Sequence, residues 1–172
     1  MPSQLTSITR PRRSSTRIET PSTRTQQTSS SSPYNLTITT SPPTSLSPSS
    51  NFNTRILITA RQRTRPTNLL AVISLCSPSG IPLPAGHLLT TSKLMDSVSE
   101  PSRSDLSVLG RGHRQEIVGA AGFEGLCVQT QGEYRVRVTI ARMEGDGWEA
   151  VAEVDSAVFR VAGRGAVNGV KR

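Results

Sequence analysis

Lysine is nearly missing from this chain. Of its 20 basic residues only Lys93 and Lys171 are lysines, and the rest are arginine. Acidic side chains are missing from its first part. Residues 1–68 hold nine Arg and a single Glu, a net +8, whereas residues 69–172 hold 11 basic and 11 acidic side chains and balance. Aromatic residues are scarce at 3%, and apolar residues make up only 34%, low for a chain that folds along its whole length. No run of about 18 apolar residues occurs, so no segment is expected to span a membrane. The N-terminus lacks the apolar core of a signal peptide. It is Ser- and Arg-rich like a mitochondrial transit peptide, but Pro2, Pro11 and Pro21 oppose an amphipathic helix there.

Chemistry-bearing residues are few as well. Cys76 and Cys127 lie inside apolar, strand-like runs and read as two buried thiols. No His/Cys cluster has metal-ligand spacing. His87 and His113 have no carboxylate in an evident catalytic spacing apart from Glu116, and Gly110-Arg111-Gly112 lacks the third glycine and the preceding strand of a dinucleotide loop. The expectation is a protein that is not an enzyme, with no cofactor, no metal and no small-molecule substrate. Asn35-Leu36-Thr37 is a glycosylation sequon that matters only in a secreted chain.

What is present divides unevenly. Residues 1–54 contain 26 Ser or Thr and seven Pro. Such a stretch buries too little apolar surface to offset an ordering entropy of roughly 1–2 kcal/mol per residue. The expected organisation is a disordered Ser/Thr/Arg-rich tail over 1–33, a folded domain over 34–163, and a C-terminal tail over 164–172. Arginine binds phosphate in a bidentate way and stacks on bases. The basic first part therefore fits a polyanion, either nucleic acid or an anionic surface; a tail that only keeps the chain soluble has the same composition. Arg10-Pro11-Arg12-Arg13 fits a nuclear import signal or a phosphate-binding arm, and Arg12-Arg13-Ser14-Ser15 fits a basophilic kinase site whose phosphates cancel the charge.

The folded part reads as strands. In Gly132-Glu133-Tyr134-Arg135-Val136-Arg137-Val138-Thr139-Ile140, the residues Tyr134, Val136, Val138 and Ile140 alternate with polar ones, the signature of a strand with one buried face. Strands are also expected over 34–39, 55–59, 68–76, 87–94 and 126–129, and one strand or a pair over 149–161. The run 68–76 is apolar enough for a central strand buried on both faces. Residues 41–53 and 97–114 read as loops, and 143–147 as a turn with a hairpin signal at Asp146-Gly147. Trp148, after that turn, fits either a partner-contact anchor or partly buried core, and reads rather as the second. No segment shows helical periodicity. About seven short strands, with turns every ten residues or so, predict an all-β, immunoglobulin-like antiparallel β-sandwich behind a disordered N-terminal tail.

Here the residues meet a known family. Phe123-x-x-Leu126-x-Val128-x-x-x-Gly132-x-Tyr134-Arg135-Val136-Arg137-Val138 resembles the signature of the fungal velvet domain. The apolar strand at 69–78, followed by Gly86-His87-Leu88-Leu89-Thr90-Thr91-Ser92, and the ending Asp155-Ser156-Ala157-Val158-Phe159-Arg160-Val161 resemble its flanking pieces. The resemblance covers residues 69–161. It implies a sandwich similar to the Rel-homology domain, in a nuclear regulator of fungal development, sporulation and secondary metabolism that shuttles between nucleus and cytoplasm. It also implies a homo- or heterodimer with a velvet-family protein, and several members bind promoter DNA. Two features depart from the family: residues 34–44 have the strand and prolines but no Gln-Gln and no adjacent Arg, and the ending AGRGAVNGVKR matches nothing in it.

Because the family's basic segment is absent, its DNA contacts cannot be carried over. The candidate contacts to double-stranded DNA are Arg55, Arg61, Arg63 and Arg65, assisted by an arm carrying Arg10, Arg12, Arg13 and Arg17. Arg135 and Arg137 are expected on the outward face of their strand. Three readings stand on the sequence: a DNA-binding transcriptional regulator, a dimerisation module that modulates a velvet partner without touching DNA, and an unrelated immunoglobulin-like protein-binding domain.

Overall fold

The computed structural model describes residues 32–60, 68–108 and 116–163. The disorder expected over 1–33 concerns residues almost wholly outside these, and the tail over 164–172 lies outside them entirely. In chain order the elements are β1 (Tyr34–Thr40), β2 (Ser45–Leu46), β3 (Phe52–Ala60), β4 (Leu69–Cys76), β5 (Leu88–Thr90), β6 (Met95–Ser97), α1 (Arg103–Val108), β7 (Glu116–Val128), β8 (Gly132–Glu144), β9 (Gly147–Asp155) and β10 (Phe159–Val161). They form an all-β sandwich, as the alternating pattern predicts.

One sheet has the order β1-β3-β7-β5. The other has the order β2-β10-β8-β4-β6, with β9 also paired to β8. β10 and β9 follow one another along the same edge of β8, β10 opposite residues 132–134 and β9 opposite 137–144. Ser156 sits between them. Its Oγ accepts from the Val136 N–H at 3.1 Å, so the break in the ladder leaves that buried donor satisfied. The β2–β10 pair is parallel; the other strand pairings are antiparallel.

The core lies between the inner faces. β3 and β7 give Ile56, Ile58, Phe123 and Leu126; β4, β8 and β10 give Ala71, Ile73, Leu75, Val136, Val138, Ile140 and Phe159. On β8 the alternation holds as expected, with Tyr134, Val136, Val138 and Ile140 buried and the residues between them turned outward. Phe159 stands opposite Tyr134 in register, and its ring centroid lies 5.6 Å from that of Phe52 and 6.1 Å from that of Tyr134. Tilted ring pairs at such spacing are favourable beyond the area they bury.

The spacing Gly132-x-Tyr134 has a steric cause. The Tyr134 hydroxyl donates to the carbonyls of Thr130 at 3.2 Å and Gln131 at 3.3 Å, which folds the ring back over Gly132. A Cβ at Gly132 would lie 2.8 Å from that hydroxyl oxygen and 2.9 Å from Cζ, so only glycine fits beneath the ring. A tyrosine bonded to the backbone just upstream is a recurring device for fixing a sandwich corner.

Several expectations change. The loop expected over 97–114 includes the end of β6, a bridge from Ser99 to Ala120 on β7, and the helix α1. β7 starts at Glu116, ten residues before the strand expected there. β4 buries one face only: Leu69, Ala71, Ile73 and Leu75 are buried, while Leu70, Val72 and Ser74 on the outer face are half-buried. β5 is three residues long, and the loop over 41–53 contains β2. Cys76 is buried but Cys127 is only half-buried, and both are free thiols. Trp148 is 49% exposed rather than part of the core, because it stands at the tip of the β8–β9 hairpin, opposite the exposed Met143.

Candidate nucleic-acid interface

Of the candidate DNA contacts, Arg55 is within the described residues; Arg61, Arg63, Arg65, Arg10, Arg12, Arg13 and Arg17 lie outside them. Arg55 projects from the outer face of β3 and is already engaged. Its Nε donates to Asp105 Oδ1 at 2.8 Å, and an Nη donates to Oδ2 at 2.7 Å. The guanidinium reaches α1 by crossing Gly122 of β7, where a Cβ would stand 3.3 Å from the other Nη.

Asp105 is buried and carries more than this pair. Oδ2 also accepts from the backbone N–H of Ser102 at 2.7 Å and from its hydroxyl at 2.6 Å, while Ser102 Oγ accepts from the Asp105 N–H at 3.3 Å. This reciprocal cap closes the first turn of α1. The Arg55 hydrogen bonds, with those of Ser102, hold the Asp105 carboxyl well below the usual carboxylate range against the opposing effect of burial. The sequence carried one signal for the helix, Ser102-Arg103-Ser104-Asp105, which has the Ser-x-x-acid spacing of a capping box.

The motif residues divide by face. Phe123, Leu126, Tyr134 and Phe159 are buried, and Gly132 lies under the Tyr134 ring, so these five are structural. Arg135 and Arg137 face outward from β8, as expected. Arg137 is not free: Nε and an Nη donate to the two oxygens of Asp155 at 2.7 and 2.9 Å, with Glu153 at 3.6 Å. Those bonds raise the Arg137 pKa further above its ordinary value. Arg135 Nε is buried without a hydrogen-bond partner. Cys76, opposite Arg135 in the ladder, has its thiol pushed up by burial. His87 is exposed, and His113 lies outside the described residues. Among the described residues no group of three or more His, Cys, Asp or Glu side chains could hold a metal ion, and no helix is long and apolar enough to cross a membrane.

Charge and topology together locate the basic segments. The described residues hold seven basic and eleven acidic side chains, a net −4, so the remainder of the +8 chain carries +12. Three of the four segments outside the description join the sandwich side by side. Residues 1–31 lead into β1 near Tyr34, residues 61–67 leave β3 after Ala60, and residues 109–115 lead into β7 at Glu116. Tyr34 is paired with Ala60, and Ala60 with Glu116. Neighbouring strands lie about 4.8 Å apart, so ten arginines and one glutamate are tethered to three adjacent strands at one end of one sheet. The described residues are net acidic, and the strand ends that lead to these Arg-rich segments are neighbours.

No protein-family model matches this chain, and no curated protein sequence matches it.

Proposed function

We propose that the chain binds double-stranded DNA through the basic segments tethered at the Tyr34–Ala60–Glu116 end. In this reading it is a velvet-like nuclear transcriptional regulator acting as a homo- or heterodimer. The observation that carries the proposal is the pairing of Tyr34 with Ala60 and of Ala60 with Glu116. The segment with Arg61, Arg63 and Arg65 and the arm with Arg10, Arg12, Arg13 and Arg17 thus attach to neighbouring strand ends. Guanidinium groups that contact phosphates neutralise them and release counterions with little demand on base sequence. Arg55 stands at the opposite end of β1, across from Thr40, with its guanidinium committed to Asp105.

The test is a salt-titrated gel shift of the full chain, with Arg61, Arg63 and Arg65 changed together to Ala in parallel. Each lost phosphate contact removes about 0.9 from the log–log salt slope, so the triple variant is expected to bind with a slope shallower by about 2–3 and with at least tenfold lower affinity at low salt. Equal slopes and affinities for the two chains contradict the proposal.

One observation favours a second reading, a dimerisation module that leaves DNA to its partner. The described sandwich is net acidic, and its well-placed arginines Arg55 and Arg137 are committed to Asp105 and Asp155. In that reading the gel shift shows no binding by the chain alone, and DNA is retained only with a velvet-family partner present.

A further inference from the structure

The tip of the β8–β9 hairpin presents two large apolar side chains to solvent. Met143 and Trp148 stand directly opposite one another, 45% and 49% exposed, with exposed Ala150 beside them. The sheet face they form is unpartnered in the described structure, and so is the outer edge of β9. The same tip is underneutralised: Glu144 and Glu149 share Arg142, at 3.0 and 3.8 Å, and Asp146 occupies the turn. Two carboxylates thus share one guanidinium, on the face of the hairpin opposite Met143 and Trp148, and a third stands in the turn between the two faces.

We propose that this tip is a docking surface for the chain's own N-terminal segment, residues 1–31, which wraps the hairpin end with some arginines over Trp148 on one face and others against Asp146 in the turn and Glu144 and Glu149 on the opposite face. Two observations select that occupant. The first is charge: the segment holds five Arg and one Glu, the complement of the tip, and guanidinium groups stack well on an indole face. The second is where the segment enters the fold. It joins β1 at Tyr34, and β1 packs alongside β9, so the tether begins beside the hairpin. Arg24 is ten residues from that point in sequence, so its docking is an intramolecular event.

Docking withholds Arg10, Arg12, Arg13 and Arg17 from other polyanions until one outcompetes the carboxylates. That consequence rests on the DNA-binding reading; the docking itself does not.

Trp148 is the single tryptophan of the chain, so its fluorescence reports on the tip without a label. Acrylamide quenching is measured on the full chain, without DNA, and on a variant with Arg10, Arg12, Arg13, Arg17 and Arg24 all changed to Gln. In about 20 mM salt the natural chain is expected to quench about half as readily as the variant, and in about 500 mM salt the two should coincide, because exposed ion pairs are screened. A chain with Glu144 and Glu149 changed to Gln and Asp146 changed to Asn is expected to quench like the tail variant. Equal quenching of all chains at low salt overturns the proposal. So does protection lost only when Arg61, Arg63 and Arg65 are changed, or protection that grows with protein concentration, since these assign the surface to the 61–67 segment or to a second copy.

Discussion

Replacing Phe159 by Ala is expected to cost about 3–5 kcal/mol, the usual toll of emptying a buried phenylalanine site. The side chain is 1% exposed and touches the rings of Phe52 and Tyr134, so it connects β3 of one sheet to β8 of the other. It also sits on a strand of three residues held between β8 and β2. Such a short strand cannot shift to fill a cavity without giving up its ladder, which places the cost toward the upper part of the range. Native domains are stable by only about 5–15 kcal/mol, so the variant should show a large fall in its urea midpoint with an unchanged slope. Val158→Ala, one residue away and 37% exposed, is the control and should change stability by less than about 0.5 kcal/mol. A loss below about 1 kcal/mol for Phe159→Ala would mean that the ring does not hold the two sheets together.

The second large effect is expected at Asp105. Asp105→Asn removes the charge that Arg55 grips and gives the guanidinium an amide donor in its place. Breaking a buried pair from one side costs about 3–5 kcal/mol, but the Arg55 side chain is 40% exposed and regains water. The expected loss at neutral pH is therefore about 2 kcal/mol. The pH dependence follows from the direction of the shift. The folded carboxyl titrates below its unfolded value of about 3.9, so its contribution is complete above that pH and fades as pH falls toward the folded value. The stability gap between the natural chain and Asp105→Asn should be constant from pH 7 to about 5 and narrow below about 4. Urea unfolding at several pH values reads this directly. A gap that stays unchanged down to pH 3 would place the ion pair outside the stabilising interactions of the fold.

Legibility in the sequence followed the range of the forces involved. β8 was legible because alternate burial imposes a period of two on adjacent residues, and Gly132 and Tyr134 carry their constraint within three positions. α1 was not, because six residues make fewer than two turns and no periodicity can develop. Its only local mark was the Ser102–Asp105 cap. The first half of β7, Ile117-Val118-Gly119-Ala120-Ala121-Gly122, is rich in residues with low strand propensity. It forms a strand because β3 runs alongside it and Ser99 bridges to Ala120, both distant in sequence. The fate of Arg55 was illegible for the same reason: its partner stands fifty residues away. The exposure of Trp148 is not legible from its residue type, because position in a hairpin decides whether a ring meets the core. For the candidate interface, the charge asymmetry was legible from composition alone, but the adjacency of Tyr34, Ala60 and Glu116 needed the strand order.

The most direct test of that adjacency as a binding end is amide shift mapping of the full chain during titration with a short DNA duplex. The account predicts perturbations concentrated at Tyr34, Ala60, Asn68 and Glu116, and quiet amides at Leu88, Val128 and Val161 on the far end. Perturbations gathered around Leu88, Val128 and Val161, or none anywhere at saturating duplex, would contradict it.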